Sequence, residues 1–404
     1  MKSLNAIVAA TLAAAAFAAC DKNPVEQSAG PQLTLSPDSV VVGEYDSSLL
    51  TATVRDASGA MQYVPVQFVS RDQRVATVDA GGVISAVAAG STFVVATLSD
   101  RPGVRDSVRV RVHADSCSGA RPDFGGPATA ADRALFAYDV QAPLNLQKTV
   151  ESTVDGVEVS SITFSSPDGG SVTGMMWDPV TRAGPRPGIV LMHGLPGNAR
   201  QMAGLAQIYA RHGAVVVAID APWNRRQGPP LTITAQDRHE QIQVIKDLQR
   251  AVDVLRSRPN VDADRIAYEG GSWGGATGAL FVGIERRLKA AALVVGHAGQ
   301  VSLRTGREGF HRTLSCATRT AWIRAMAPIE PIRFVGHANV PLLLQNGRLD
   351  ESVPNHEAEK LHAAAPQPKE VRWYDAGHNL GQTARLDRHR WLHEKIGLDA
   401  PAGS

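Results

Sequence analysis

The clearest indication of catalysis in this sequence is a serine flanked by glycines. Residues 270–274 read Gly-Gly-Ser-Trp-Gly, so a glycine stands two positions before and two positions after Ser272. This spacing is typical of a tight turn from a strand into a helix, which exposes a serine hydroxyl. Because the backbone is crowded in this turn, the residues two positions before and after the serine must lack side chains. The flanking pattern predicts a strand over 265–268 and a helix over 273–286, and hence a nucleophilic serine.

A nucleophilic serine needs a base and a carboxylate that orients the base. Two loops that each follow a predicted strand supply these groups, with Asp350 in the first and His378 in the second. The order serine, acid, histidine along the chain is the one expected for such a turn. Asp375 is the competing carboxylate, but it follows the same strand as the histidine. We therefore assign Ser272 as nucleophile, His378 as general base and acid, and Asp350 as the orienting carboxylate.

The loop 193–197, which reads His-Gly-Leu-Pro-Gly, follows the first predicted parallel strand. Serine attacks the carbon of a carbonyl group, and backbone N–H groups at this place stabilise the negative charge that develops on the carbonyl oxygen. We expect the N–H groups of Leu195 and Trp273 to form this oxyanion hole, the second from a helix N-terminus. The side chain of His193 is expected to brace the loop, and proton transfer is the alternative.

Residues after other strands are candidates for substrate contact. Trp223 and Trp273 could line an apolar acyl pocket or simply pack. Arg225 and Arg226 could bind an anionic group of a substrate or lie solvated at the surface. The stretch 297–339 lies between two strands and is long enough to form a lid over the site.

The elements that must position these residues alternate between strand and helix over 157–400. Nearly continuous Val, Ile and Leu strands between helices predict an α/β fold, with a mostly parallel sheet covered on both faces. Ligands bind beyond the carboxyl ends of such strands. The preceding segment 114–156 is expected to be an irregular connection. Over 33–113, seven or eight short alternating strands separated by turns predict a small all-β sandwich.

Together these motifs resemble the α/β-hydrolase superfamily, and most closely its dienelactone hydrolase, prolyl oligopeptidase and acetyl-xylan esterase branch. The resemblance covers roughly 157–397. It is carried by the His-Gly loop at 193–197, the turn at 270–275, Asn-Gly-x-x-Asp at 346–350 with Val-Pro at 353–354, and Gly377-His378. It implies hydrolysis through an acyl-serine, without a cofactor or metal. Dienelactone hydrolases proper carry a cysteine nucleophile where this chain has Ser272, which argues against dienelactone as the substrate.

The resemblance leaves three classes of function open. A serine hydrolase of small-molecule or carbohydrate-linked carboxylic esters leads. A serine exopeptidase of the prolyl oligopeptidase type is second, since its relatives usually carry a large β-propeller and the module at 33–113 is too small for one. A non-catalytic envelope adhesin is third, and a full set of catalytic residues argues against it.

The all-β module resembles the bacterial Ig-like family, group 2. The resemblance is carried by residues 75–79, 82–87 and 89–92. It implies a spacer, because a single copy offers little avidity. Contact with a cell surface or a polysaccharide is the alternative.

The first 20 residues predict export from the cytoplasm. Lys2 precedes an apolar run over 6–19 that is too short to span a membrane as a mature helix. The run ends Phe-Ala-Ala-Cys, which resembles the lipobox of bacterial lipoproteins and implies acylation of Cys20. The lipid would be the only membrane attachment, in the bacterial cell envelope, and ordinary secretion is the alternative. A polar linker follows over 21–32.

Composition excludes several other classes of protein. The chain has 404 residues with 41 Lys and Arg against 39 Asp and Glu, and this balance gives no electrostatic reason to expect nucleic acid as a partner. No apolar run approaches the ~20 residues of a membrane-spanning helix. Once Cys20 is acylated, Cys117 and Cys316 remain as an even pair in an oxidising compartment. A disulfide would clip the lid to the connecting segment, and two free thiols are the alternative.

Overall fold

The computed structural model describes residues 30–44, 47–114, 126–305 and 314–401. The export segment with Cys20, most of the linker, and Cys117 lie outside these ranges, so export, acylation and the Cys117–Cys316 pairing stay predictions. Within the described ranges, no helix is long and apolar enough to cross a membrane.

The first region is built from short strands whose alternate residues point inward. Leu33 and Leu35 of the first strand are buried while their neighbours are exposed, which is the period-two pattern of a half-buried sheet. In the described residues the strands are β1 (Gln32–Ser36), β2 (Ser39–Gly43), β3 (Ser47–Leu49), β4 (Thr51–Arg55), β5 (Met61–Gln62), β6 (Val66–Ser70), β7 (Ala76–Val78), β8 (Val83–Ala86), β9 (Gly90–Leu98) and β10 (Arg101–His113). They pair as β1-β4-β5, β2-β10-β9-β6 and β3-β8-β7 around one apolar core.

The second region contains one large sheet. Its strands are β11 (Gln147–Val154), β12 (Val157–Ser165), β13 (Ser171–Asp178), β14 (Arg186–Met192), β15 (Val215–Ile219), β16 (Val261–Gly271), β17 (Ala290–Val294), β18 (Leu342–Gly347) and β19 (Lys369–Tyr374). Their order is β11-β12-β13-β15-β14-β16-β17-β18-β19. The pairs from β11 to β15 are antiparallel, and those from β15 through β14 to β19 are parallel.

Helices cover both faces of this sheet. In the described residues they are α1 (Ala130–Ala134), α2 (Ala203–Arg211), α3 (Ala235–Arg256), α4 (Trp273–Phe281), α5 (Gln300–Thr305), α6 (Cys316–Met326), α7 (Pro331–Val335), α8 (Asn355–Ala364) and α9 (Gly381–Ile396). Along β14, Val190 and Met192 pack with α3 and α4, whereas Ile189 and Leu191 pack with α2 and α9. All four side chains are withdrawn from water, at ~1.5–3 kcal/mol of stabilisation each. The predicted fold class, an Ig-like β region followed by a mostly parallel sheet between helices, is confirmed.

The connecting segment 114–156 is less irregular than expected. Strand β11 lies at the edge of the sheet with every residue exposed, so its sequence lacks the alternation that would have revealed it. Helix α1 is held at its start by a capping box between Thr129 and Asp132. Just after it, Phe136 is fully buried, edge-on against Phe334 at 5.5 Å between ring centroids. The described part of this segment therefore belongs to the fold of the second region.

Candidate active site

Ser272 occupies the turn between β16 and α4 that its glycines predicted. Its φ of 57° and ψ of −118° lie in a region that residues other than glycine rarely adopt. The backbone N–H of Ser272 donates to the Val294 carbonyl oxygen at 2.8 Å, which ties the turn to the end of the neighbouring strand β17. The chain holds this strained serine at the carboxyl edge of the sheet.

The glycines on either side are required by close backbone approach. A Cβ at Gly274 would stand 2.5 Å from the carbonyl oxygen of Met192 and 2.7 Å from that of His193. A Cβ at Gly270 would collide with the carbonyl oxygen of Gly274 itself. The turn is therefore packed directly against the end of β14, from which the 193–197 loop departs.

Asp350 and His378 are joined by a hydrogen bond. The Nδ1 of His378 lies 2.8 Å from Oδ2 of Asp350, whose side chain is fully withdrawn from solvent, while the imidazole is 36% exposed. The other carboxylate oxygen, Oδ1, accepts from the backbone N–H groups of Ser352 at 2.8 Å and Val353 at 2.9 Å. The carboxylate is thus fixed by its own loop and presents one oxygen to the imidazole.

Hydrogen bonding keeps this buried carboxylate ionised. Burial by itself pushes the pKa of Asp350 upward, but the bond from His378 and the two backbone N–H groups outweigh it and hold the pKa below its usual value. An ionised Asp350 accepts the proton on Nδ1, which leaves Nε2 of His378 as the basic nitrogen.

The loops that carry Ser272 and His378 meet at the end of β17. Leu380, two residues after the histidine, packs against Val295 in a small apolar cluster that also includes Ala376. Val294, the residue before Val295, accepts the backbone hydrogen bond of Ser272. Because β16, β17, β18 and β19 run parallel, their carboxyl ends bring the three predicted residues to one edge of the sheet.

The 193–197 loop lies against the same turn. Leu195 and Trp273 both line the cavity that contains Ser272. His193 is buried, with Nδ1 2.7 Å from the Gly194 carbonyl oxygen and Nε2 accepting from the Ala221 backbone N–H at 3.2 Å. Burial lowers the pKa of His193 and so favours the neutral ring. A neutral ring with its proton on Nδ1 can donate to the Gly194 carbonyl oxygen and accept at Nε2 from the Ala221 N–H. Its side chain therefore braces this loop from within.

The cavity at Ser272 is small, with a volume of about 140 Å³. Its lining also includes four residues of the predicted lid, namely His297, Gln300, Leu303 and Arg304, and sequence reasoning assigned no role to the first three of them. They follow β17 directly or lie on α5, so position just beyond a parallel strand was the signal that could have identified them. The two remaining lining residues, Ser352 and Val353, belong to the loop that holds Asp350.

The residues predicted to contact substrate have different environments. Trp223 is buried beside Trp273, with 4.3 Å between ring centroids, and lines a second small chamber next to the cavity. Arg225 pairs with the buried carboxylate of Asp247 at 2.6 Å, and Arg226 forms a bidentate ion pair with Glu240. Neither arginine lines the cavity of Ser272, and both charges are already matched by protein carboxylates.

The predicted lid, 297–339, is largely helical where it is described. It contains α5, α6 and α7, and residues 306–313 lie outside the described ranges. Among its described residues, those that line the cavity of Ser272 lie between 297 and 304. Cys316, the first residue of α6, is disulfide-bonded.

Glu330 anchors the part of this segment that lines the cavity. Its carboxylate is almost fully buried and accepts from the backbone N–H groups of Val301 at 3.1 Å and Ser302 at 3.4 Å, in the first turn of α5. Burial raises the pKa of Glu330 to about 8, against the lowering effect of those N–H groups and with a further raising effect from Glu357. The folded protein therefore keeps this group protonated at neutral pH.

The raised pKa predicts a loss of stability with rising pH. Between the ordinary glutamate pKa of 4.5 and about 8, the unfolded chain has released this proton and the folded chain has not, so the free energy of unfolding falls as pH rises. Glu330→Gln keeps an acceptor and removes the titration. We expect its Tm, relative to wild type, to be higher at about pH 8 than at about pH 5. A Tm difference that is the same at both pH values would contradict this pKa.

The sheet order, the helices on both faces and the strand-to-helix turn at Ser272 define the α/β-hydrolase fold. The chain joins an Ig-like β region to an α/β-hydrolase domain. Residues 201–392 match the model of the prolyl oligopeptidase family, and residues 30–108 match that of the bacterial Ig-like domain, group 2. The resemblance to these families that the motifs indicated is confirmed.

Two solved structures share this fold, and one relative matches part of the sequence. The acetyl xylan esterase from Paenibacillus sp. R4 superposes with a TM-score of 0.54 at 22% identity, over 66% of this chain and 92% of that one. Acetyl xylan esterase 1 from Thermoanaerobacterium sp. JW/SL YS485 gives 0.55 at 15% identity, over 67% and 95%. A Bacillus subtilis (strain 168) protein named uncharacterized peptidase YuxL is 26% identical over 242 residues, 55% of this chain. The match spans only 36% of that relative's length.

Proposed function

We propose that this protein is a serine hydrolase that cleaves carboxylic esters through an acyl-serine intermediate. One observation carries the proposal: Ser272 shares a cavity with Leu195 and Trp273, and the hydrogen-bonded Asp350 and His378 follow β18 and β19 at the same edge of the sheet. Nucleophile, base, orienting acid and oxyanion donors are the parts that acyl transfer needs.

The proposed reaction assigns one step to each of these residues. Nε2 of His378 takes the proton of the Ser272 hydroxyl as Oγ attacks the ester carbonyl carbon. The negative charge that develops on the carbonyl oxygen is met by the N–H groups of Leu195 and Trp273. The imidazolium then gives its proton to the departing alkoxide, and water releases the acyl group by the same steps in reverse. Asp350 holds the ring in the required tautomer throughout.

The size of the cavity supports small acyl groups as substrates. Its volume of about 140 Å³ is below the ~300–1,000 Å³ of pockets that enclose larger ligands. We therefore expect the highest kcat/KM for acetyl and other short acyl esters. The two acetyl xylan esterases that share the fold are named for an acetyl ester substrate, which supports this expectation.

Peptide hydrolysis is the second candidate, because residues 201–392 match the prolyl oligopeptidase family and the Bacillus subtilis relative is named a peptidase. A panel of 4-nitrophenyl esters of increasing acyl length, assayed beside aminoacyl 4-nitroanilides, separates the two. Our proposal requires ester hydrolysis that declines with acyl length and depends on Ser272. Efficient cleavage of the anilides with slow ester hydrolysis would favour the peptidase instead.

The Ig-like region is proposed to act as a spacer that takes no part in the chemistry. Every assigned catalytic group follows residue 190, whereas that region ends with β10 at His113. A protein that begins at residue 114, which retains Cys117 for the predicted disulfide, should keep the kcat of the full chain on 4-nitrophenyl acetate. A folded protein of this length with a much lower kcat would show that the Ig-like region contributes to the site.

We further propose that the protein is an envelope lipoprotein acylated at Cys20. The lipobox-like sequence before this residue supports the proposal. Metabolic labelling with a radioactive fatty acid should label the wild-type protein and spare Cys20→Ala. Equal labelling of both proteins, or of neither, would contradict it.

A further inference from the structure

A second chamber adjoins the cavity of Ser272. Three residues line both spaces: Leu195, Trp273 and Gln300. The chamber continues past them between Trp223, Leu231 and Met326, and the buried polar residues Asp237, Glu240 and Gln241 complete much of its lining. The chamber therefore lies next to the cavity of Ser272, on the side of the two proposed oxyanion residues, and its volume of about 20 Å³ has room for one group of the size of a hydroxyl.

Two buried atoms in the described lining of this chamber have no hydrogen-bond partner. They are the Oε1 of Gln300, an acceptor, and the Nε1–H of Trp223, a donor. The two residues are only 6% and 7% exposed. Burying such a group without a partner costs about 1–3 kcal/mol, so a polar group that enters the chamber would be stabilised by both.

The carboxylates of the chamber, in contrast, are already matched. Asp237 accepts from the N–H of Ile233 at 2.8 Å and from the indole N–H of Trp322 at 2.7 Å. Glu240 accepts from Arg226 and Gln236. The chamber thus adds no unmatched charge, and its unmatched acceptor and donor fit a neutral group that can both donate and accept.

The position of the chamber identifies the part of the substrate that enters it. The leaving alkoxide must take its proton from His378, which is bonded to Asp350 beside Ser352 and Val353. Neither of these two residues lines the chamber. The chamber lies instead next to Leu195 and Trp273, so we place it away from the leaving group, on the acyl side of the carbonyl.

We propose that this chamber selects acyl groups that carry a hydroxyl, through Gln300 as acceptor and Trp223 as donor. The inference rests on the proposed esterase function and names its acyl preference. A hydroxyl can donate to Oε1 and accept from Nε1–H, whereas a methyl group of similar size leaves both atoms unpaired.

The test compares two esters that differ by this single exchange, 4-nitrophenyl 2-hydroxypropanoate and 4-nitrophenyl 2-methylpropanoate. The ratio of their kcat/KM values is measured in wild type, Gln300→Leu and Trp223→Phe. The intrinsic reactivity of the esters cancels when ratios are compared between proteins. Each substitution should lower the preference for the hydroxyl ester about tenfold. If Gln300→Leu does not fold, Trp223→Phe, which keeps an aromatic ring, tests the donor alone.

Matched controls separate this inference from the proposed function. Gln207→Leu makes the same exchange on α2, where the side chain donates to the Val154 carbonyl oxygen, and should leave the ratio unchanged. The pair 2-hydroxyethyl acetate and propyl acetate places the hydroxyl in the alcohol, and its ratio should not respond to either substitution. A response in this pair and not in the acyl pair would contradict the acyl-side placement.

Binding without turnover gives an independent readout. In the Ser272→Ala background, the 2-hydroxypropanoate ester should bind more tightly than the 2-methylpropanoate ester, and Gln300→Leu should remove the difference. Hydrolysis that depends on Ser272 with identical ratios in all variants would overturn the hydroxyl preference alone. Absence of any ester hydrolysis that depends on Ser272 would overturn the proposed function itself.

Discussion

Ser272→Ala is expected to lower kcat on 4-nitrophenyl acetate by about four to six orders of magnitude, with the fold intact. Alanine removes the attacking oxygen and nothing else, and it keeps the strained φ of 57° that serine already adopts, so stability should change little. The measurement is kcat for wild type and variant, with a thermal melt to show that both are folded. A fluorophosphonate probe should label wild type at Ser272 and leave the variant unlabelled.

Ser257→Ala is a suitable control for this prediction. The Ser257 hydroxyl donates to the Val254 carbonyl oxygen at 2.8 Å, at the end of α3 and apart from the cavity. Its loss should leave kcat within about twofold of wild type. Phosphonate labelling at another serine, or near wild-type hydrolysis by Ser272→Ala, would assign the nucleophile elsewhere.

The positions of Ser272, Asp350 and His378 were predictable because each depends on local sequence and one topological rule. A G-x-S-x-G turn needs only five residues to be recognised, and loops after parallel strands must gather at one edge of the sheet. Strand β16 contains the predicted 265–268, and β18 and β19 each end shortly before Asp350 and His378, so the three residues come to that edge. The hydrogen bond between His378 and Asp350 is the contact this reasoning expects.

The same reasoning could not identify contacts between residues that are distant in sequence. Arg225 and Arg226 stand in a loop where the sequence left solvated and substrate-binding roles open, and the fold brings them to Asp247 and Glu240 on α3. Gln300 had no motif to mark it, since its importance comes from a missing hydrogen-bond partner in a buried place. Burial and pairing are properties of the whole fold, and a single sequence does not display them.

Asp350→Asn is expected to reduce kcat by about four orders of magnitude, almost as much as loss of the serine. The amide fits the same space and can still accept from the N–H groups of Ser352 and Val353. Its NH₂ group, however, would then face Nδ1 of His378 and favour the tautomer with the proton on Nε2. That ring cannot take the proton from Ser272. The loss should appear in kcat more than in KM, because Asp350 does not line the cavity.

Asp375→Asn is the matched control, since Asp375 is the carboxylate that competes with Asp350 for the same role. Its side chain is 89% exposed and pairs with Arg348 at 3.4 Å, whereas that of Asp350 is fully withdrawn from solvent against His378. An exposed pair of this kind contributes little, so kcat and Tm should both stay close to wild type. If Asp375→Asn instead lost activity and Asp350→Asn kept it, the orienting carboxylate would follow β19 and share its loop with the histidine.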